Sequence, residues 1–338
     1  MVQNHALRMV AWELTRNCNL NCIHCRAAAS KGPHEGELTL PECKQVLDQI
    51  AGFASPTIIL TGGEPLLRED IFDIIEYGNA KGLRLVMAIN GTLLTEEKAF
   101  LMKEGGIKRV SLSLDGKDAK THDAFRGVIG SFNSVMRAAD IMNGIDLPFQ
   151  INTTVTRHNV DDLVDIYNLV KAIGAVAWHV FLLVPVGRGK GLKGKELNTE
   201  AYENVLNWLY DIESKNEIEM KVTCAPHYYR IVTEKGDTPK SAGCLAGKSF
   251  MFISHRGIAQ PCGYLEIPSG DVKKEGVQRV WEESPTFNQL RDLTSYKGKC
   301  GGCRYLKICS GCRARAYELH GDFLHEEPYC SYNSSVNE

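Results

Sequence analysis

Short β-rich runs alternate with amphipathic helical stretches from the start of this 338-residue chain to about Pro185, and that alternation leaves few folds open. Strands are expected at Arg8 to Thr15, Thr57 to Gly62, Arg84 to Asn90, Arg109 to Asp115, Phe149 to Val155 and Ala177 to Pro185. Between them, runs such as Ile71 to Tyr77 and Leu163 to Val170 space their apolar residues at the helical period. Strands that are apolar throughout and separated by helices form a parallel sheet covered by helices. Six βα units are too few to close an eight-stranded barrel. The expected class is therefore α/β, a partial, TIM-like (β/α)6 barrel with its function at the C-terminal ends of the strands.

A composition of 43% hydrophobic and 24% charged residues is that of a globular protein, and a net charge of -2 gives no electrostatic footprint for nucleic acid or an anionic membrane. No apolar run approaches the ~18 residues of a membrane span. The segment Met1 to Arg8 has no positive region followed by a long apolar stretch, so a cytoplasmic location is expected. Twelve cysteines then need a use other than disulfides, which a reducing compartment disfavours, and ligation of metal or clusters is the stronger reading. Only Cys43, inside the helical-looking Leu40 to Leu47, stands alone, as a small packed residue would.

Cys18, Cys22 and Cys25 form a C-x3-C-x2-C run directly after the first strand. Three thiolates can hold three corners of a [4Fe-4S] cube and leave one iron open, whereas electron-transfer clusters normally use four cysteines. Zinc sites usually present C-x2-C pairs in two halves and fit this run poorly. The second strand ends in Leu60-Thr-Gly-Gly-Glu-Pro65, where two glycines let a ligand approach the backbone and the carboxylate can receive an ammonium group; taken alone, it is an ordinary turn. The glycine- and lysine-rich Val186 to Lys195 reads as a flexible loop rather than an anion site, and Tyr202 to Ile212 as a helix. From Cys244 onward, turns and cysteines dominate, so a small domain held by clusters is expected, with zinc as the alternative for its C-x2-C pairs. Cys224, His227, Tyr228, Tyr229 and Arg230 crowd into one short segment. They form either a buried polar corner or a surface for an aromatic, metal-bearing, carboxylate-rich substrate, since histidine or tyrosine can ligate porphyrin iron and arginine grips carboxylates bidentately.

The cysteine run and its place after the first strand resemble the radical S-adenosylmethionine (SAM) superfamily. The resemblance implies that the open iron of a [4Fe-4S] cluster on Cys18, Cys22 and Cys25 chelates SAM, that Gly62, Gly63 and Glu64 bind its amino group, and that Ser113 and Asn152 lie near its ribose. Single polar residues at strand tips also serve as helix caps. His24 stands where the family usually has an aromatic residue and can pack over adenine. The pattern from Cys244 resembles the SPASM extension, which carries one or two auxiliary [4Fe-4S] clusters; Ser310-Gly311 gives two residues where the family usually has three. The family's crossed pattern implies Cys300, Cys303, Cys309 and Cys330 for one cluster and Cys244, Cys262 and Cys312 for the other. Cys224 completes the count, a substrate group, another side chain or an open site being the alternatives. The expected organisation is a barrel over residues 1–190, a bridging, substrate-contacting region over 191–243 and the cluster domain over 244–338.

Longer strings, among them Ala11 to Thr15, Cys224 to Arg230 and Gly311 to Tyr317, resemble the haem-forming radical SAM proteins of the alternative, sirohaem-derived pathway. This implies oxidative decarboxylation of two propionates of iron-coproporphyrin III to vinyl groups, giving protohaem. It implies an iron porphyrin substrate at His227, Tyr228, Tyr229 and Arg230, and an external one-electron reductant such as ferredoxin or flavodoxin. The alternatives are a didecarboxysirohaem deacetylase or haem d1 precursor enzyme, a SPASM peptide maturase, and an iron-sulfur carrier or zinc-stabilised binding module.

Overall fold

The computed structural model describes residues 5–192 and 194–332, so the first half of the Met1 to Arg8 segment, Lys193 and the last six residues of the expected cluster domain lie outside the described residues. All six expected strands are present: β1 (Met9–Glu13), β2 (Thr57–Thr61), β3 (Arg84–Ala88), β4 (Val110–Ser113), β5 (Phe149–Val155) and β6 (Ala177–Leu182). Most end a residue or more before the expected limits, because the polar tips turn away to carry the site. Four further strands follow: β7 (Glu219–Thr223), β8 (Phe250–Ile253), β9 (Ile258–Gln260) and β10 (Gly270–Asp271). All ten form one sheet in the order β10-β9-β8-β1-β2-β3-β4-β5-β6-β7. The strands from β8 through β7 in that order are mutually parallel, and β9 and β10 add antiparallel pairs at the β8 end. The barrel wall is thus wider than six strands, and strands from all three expected segments share it.

The helices of the first part are α1 (Leu40–Phe53), α2 (Ile71–Ala80), α3 (Glu96–Glu104), α4 (Ala119–Arg126), α5 (Ser131–Gly144), α6 (Leu163–Ala172), α7 (Thr199–Ser214) and α8 (Tyr228–Glu234). Those of the C-terminal part are α9 (Val272–Glu275), α10 (Val277–Glu283), α11 (Pro285–Arg291), α12 (Gly298–Gly301) and α13 (Arg313–His320). Starts are set by local chemistry. Glu42 reaches back to the Thr39 N–H at 2.8 Å in a capping box before α1, and Asn198 accepts from the Ala201 N–H before α7.

Side chains alternate across each strand. Val10 and Trp12 of β1, Leu85 and Met87 of β3, Ile151 of β5 and Trp178 and Val180 of β6 are fully buried against the helices. Trp178 shows the packing: its ring lies 5.7 Å from Tyr167 of α6 and 6.2 Å from Trp208 of α7, and its indole N–H donates to Thr153 Oγ1 at 2.9 Å. Burying each such side chain contributes on the order of 1.5–3 kcal/mol.

The opposite face is polar. Register pairs Ser111 with Gln150, Ser113 with Asn152, Asn152 with His179 and His179 with Lys221, so Ser113, Asn152, His179 and Lys221 form one layer across β4 to β7. Below it, Arg109 donates twice to Glu219, both at 3.0 Å, and bridges the N-terminal ends of β4 and β7. Among the described residues, no helix is long and apolar enough to cross a membrane.

Because β8 covers the edge of β1 in register from Met9–Phe250 to Trp12–Ile253, the barrel depends on the C-terminal segment. A chain ending at Gly243 is expected to lose cooperative thermal unfolding and to aggregate through the bared β1 edge. Circular dichroism melts and size-exclusion chromatography check this.

Candidate active site

The cysteine run leaves the C-terminal end of β1 and is closed at its base by Cys18 N–H to Ser30 O at 3.0 Å and Ser30 N–H to Arg16 O at 3.3 Å. It rests on the end of β2. Gly63 N–H donates to Thr15 O at 2.7 Å and Glu64 N–H to Asn17 O at 2.8 Å. A Cβ on Gly62 would stand 2.4 Å from Thr15 O, and one on Gly63 2.4 Å from Asn17 O. The two glycines therefore serve an internal need: they let one backbone lie directly on another.

Glu64 is buried, and its two carboxylate oxygens accept from Leu66 N–H at 3.0 Å and Asn90 N–H at 2.6 Å. Burial pushes its pKa up to about 7 despite both hydrogen bonds. A carboxylate so placed gains from a cation beside it. Asn90 then donates to Asn19 at 2.8 Å, and Asn19 to Thr92 at 2.7 Å, tying the tip of β3 to the cysteine loop.

Within the loop, Cys18, Cys22 and Cys25 pack together, and burial followed by the nearby Glu64, Cys22 and Cys25 raises the Cys18 thiol to about 11. Arg126, ion-paired with Asp115, points a guanidinium N–H at Cys22 Sγ at 3.7 Å. His24 stacks on Phe125 with ring centroids 4.2 Å apart, and Phe125 stacks in turn on His158. The segment expected to be flexible clamps this loop instead. Residues Gly187–Leu192 form a 3-10 helix in which Arg188 donates to Cys22 O at 2.8 Å and Ala29 O at 2.5 Å, while its N–H reaches Cys25 O at 3.0 Å. Glycine at 187 has a positive φ and no room for a Cβ, which would meet Arg26 O at 2.2 Å. Gly187 marks close contact rather than freedom, whereas Gly191 and Gly194 have open space around them.

Glu13, the last residue of β1, joins the two halves of the protein. Fully buried, it accepts from Arg16 at 3.0 Å, Arg26 at 3.1 Å and His255 at 2.8 Å. Burial alone would raise its pKa, but the His255 hydrogen bond and the two guanidinium groups bring it down to about 2. Arg26, beside Cys25, also reaches Gly263 O at 3.5 Å and lies over the Phe252 ring at 4.5 Å, so the loop of Cys25 touches the loop of Cys262.

Apart from Cys43, which is buried on α1 beside the Arg68 side chain, the remaining eight cysteines fall into two groups. Cys224, Cys244, Cys262 and Cys312 adjoin; burial first, then repulsion between neighbouring thiolates, holds Cys224 and Cys262 well above the ordinary thiol range, while Cys312 reaches about 11. Cys300, Cys303, Cys309 and Cys330 adjoin likewise; burial holds the Cys303 and Cys309 thiols above the ordinary range and raises Cys330 to about 11. Among the described residues, no three or more His, Cys, Asp or Glu side chains converge tightly enough to hold a metal ion. Between the groups runs a buried ion pair: Arg315 binds Glu327 at 3.0 Å and donates to Cys224 O at 2.7 Å, while Glu327 accepts from Cys312 N–H at 2.7 Å. Arg313 donates to His325 O at 2.6 Å and approaches Cys300 Sγ at 3.8 Å.

Comparison with known proteins settles the family. Residues 12–170 match the radical SAM superfamily and residues 244–313 the iron-sulfur cluster-binding SPASM domain. The AdoMet-dependent heme synthase of Nitratidesulfovibrio vulgaris is 48% identical over 96% of this chain and 92% of its own length. The chain is a radical SAM enzyme of the AdoMet-dependent heme synthase family. The Fe-coproporphyrin III synthase of Methanosarcina barkeri is 28% identical over 95% of the chain and 87% of its own length. Streptococcus suis SuiB bound to S-adenosylmethionine has the same fold, with a TM-score of 0.79 over 97% of this chain and 78% of that one at 17% identity. As a heme synthase relative, the enzyme uses SAM, a [4Fe-4S] cluster and the auxiliary clusters of a SPASM domain. Three adjoining thiols under a buried carboxylate, and two further groups of four, fit those groups.

The structure places the residues expected to meet the substrate on α8 and at the residue before it. His227, fully buried with neither ring nitrogen partnered, packs 5.0 Å from the Tyr202 ring. Tyr228 bonds Glu213, and Arg230 pairs with Glu203 at 2.6 Å and Glu234 at 2.7 Å. The Arg230 charge is thus answered inside the protein, while Tyr228 and Tyr229 border a cleft beside β7. Sequence reasoning missed Glu13, Arg26, Arg188 and the Arg315–Glu327 pair. A lone glutamate ending an apolar strand was the one visible signal.

Two outcomes follow from these buried charges. Glu13 has a depressed pKa, so its stabilisation is present above about pH 4.5 and is lost as pH falls toward 2. That amounts to on the order of 3 kcal/mol, and Glu13→Gln is expected to flatten this part of the stability-against-pH curve in denaturant titrations. Glu327→Gln leaves Arg315 buried without its counter-charge and is expected to cost about 3–5 kcal/mol in the same measurement.

Proposed function

We propose that the enzyme converts two propionates of iron-coproporphyrin III to vinyl groups, forming protohaem in the cytoplasm. What carries this reading is the near-full-length 48% identity to a heme synthase, well above the 28% to the Fe-coproporphyrin III synthase. In it, Cys18, Cys22 and Cys25 hold the SAM cluster, and Cys224 completes the Cys244, Cys262 and Cys312 set, leaving Cys300, Cys303, Cys309 and Cys330 for the second auxiliary cluster. When bound, the SAM cluster supplies an electron, delivered by a ferredoxin- or flavodoxin-type reductant, and so a 5'-deoxyadenosyl radical that takes a hydrogen atom from the ring-side propionate carbon.

The protein's own groups place the reactants. Glu64 offers its carboxylate to the SAM ammonium, and Gly62 and Gly63 keep that carboxylate's strand against the cysteine loop. Ser113 and Asn152, in register across β4 and β5, face the ribose side of the lumen. Arg188 and Arg126 fix the loop carrying Cys22, and the His24–Phe125 stack closes one side against water. Each propionate loses one hydrogen atom and one carbon dioxide and leaves one electron to be removed; Cys224, Cys244, Cys262 and Cys312 would hold its acceptor. Two cycles consume two SAM molecules per haem.

Anaerobic reconstitution with SAM, reductant and iron-coproporphyrin III is expected to give a product lighter by two carboxyl groups with two 5'-deoxyadenosines, read by mass spectrometry. Formation of 5'-deoxyadenosine with all four carboxyl groups retained would overturn the haem-forming reading. Replacing Cys18, Cys22 and Cys25 together by alanine is expected to abolish SAM cleavage while most of the auxiliary iron stays bound, which iron analysis checks.

A further inference from the structure

The polar face of the sheet contains two donors that nothing in the protein answers. Gln150 Nε2 donates to Asn152 Oδ1 at 3.0 Å and contacts His179 Nδ1 at 2.9 Å. With the Gln150 amide nitrogen directed at the ring, His179 Nδ1 is the acceptor and the ring proton sits on Nε2. That Nε2 is buried and has no partner. Burial keeps the imidazole neutral by lowering its pKa to about 4. Beside it in register stands Lys221 of β7, whose side chain faces the same way.

Lys221 takes part in none of the ion pairs or hydrogen bonds among the described residues, and its one attractive neighbour, Glu219, already binds Arg109 through both oxygens. Burial lowers its pKa, as expected of a cation short of counter-charge. The buried Nε2–H donor costs stability unless something supplies an acceptor, and a cation without an ion-pair partner stands beside it. The acceptor must be anionic to answer Lys221 and must offer a second oxygen to His179, which describes a carboxylate. Lys221 also lines a cleft of about 410 Å³ along the unpaired edge of β7, together with Glu219, Met220 and Val222.

We propose that Lys221 and His179 form a carboxylate-binding site in the barrel lumen that grips one propionate of the porphyrin substrate. This rests on the porphyrin reading above. The site lies one strand from Asn152 and two from Ser113, so it would seat the porphyrin edge beside the SAM ribose and fix which propionate faces the radical. Lys221 lies within the substrate-contacting region expected over residues 191–243, whereas His179, on β6, lies outside it.

The test is an absorbance titration of the cluster-loaded enzyme with iron-coproporphyrin III and with its tetramethyl ester. Lys221→Gln is expected to raise the acid's dissociation constant about 10- to 100-fold, the loss of one charge-assisted contact. Lys221→Arg is expected to keep most of the affinity, and the ester to bind wild type and Lys221→Gln alike. Iron content and circular dichroism verify the variants; should Lys221→Gln misfold, the arginine variant and the ester against wild type still decide. Unchanged acid binding by folded Lys221→Gln, equal loss with arginine, or equal binding of acid and ester by wild type would each overturn the site. Failure of the wild type to decarboxylate the porphyrin removes the proposed function, whereas haem formation with a Lys221→Gln variant that binds normally removes this site alone.

Discussion

The contact on which the rest depends is the buried carboxylate of Glu13. It ends β1, holds Arg16 and Arg26 on either side of the cysteine run, and reaches His255, just past the end of β8. A charge in that position is tolerated only because three donors surround it, and removal of any one leaves an uncompensated carboxylate. Three separate pieces of chain are thereby fixed to one point. The cysteine loop cannot shift without disturbing the strand that binds the C-terminal segment to the barrel.

Much of the remaining architecture repeats this device at other places. Arginines reach from one element to the carbonyls or carboxylates of another: Arg188 to the carbonyls of Cys22 and Ala29, Arg313 to His325, and Arg315 to Cys224 and Glu327. Planar guanidinium groups suit this task because five donors in a fixed fork can satisfy several acceptors at once. Loops that carry cluster ligands have little apolar surface to bury, so charge-assisted hydrogen bonds take over the positioning that helices receive from packing. The barrel wall divides the work in the same way, with apolar side chains outward against the helices and polar ones inward toward the chemistry.

The strands up to Leu182 were legible because each is an apolar run bounded by turn residues, and Phe149 to Val155 was located to the residue. β7 was not: Glu219-Met-Lys-Val-Thr is an edge strand with little apolar character, and only its pairing with β6 defines it. β8, Phe250 to Ile253, is apolar but short and set among turns and cysteines, and nothing local says that it will pair with β1 across most of the chain. The segment Val186 to Lys195 misled for a related reason. Glycine signals either freedom or close contact, and only the neighbouring backbone of Arg26 distinguishes them. Sequence does not show that Tyr228 is answered by Glu213 and Arg230 by Glu203 and Glu234, because α7 meets α8 only in the folded chain.

Sequence by itself determined the chemistry. The spacing of Cys18, Cys22 and Cys25 and the C-terminal cysteines point to clusters, and with the Gly-Gly-Glu turn they carry the resemblance to radical SAM and SPASM proteins, since ligand spacing within one loop survives translation into three dimensions. The tertiary structure decided everything that depends on residues far apart in the chain meeting: that Cys224 joins Cys244, Cys262 and Cys312, that Glu13 ties the cysteine loop to β8, and that Lys221, His179 and Asn152 face one lumen. Such contacts follow from sheet order and register, which arise from packing the whole chain rather than from any local run of residues.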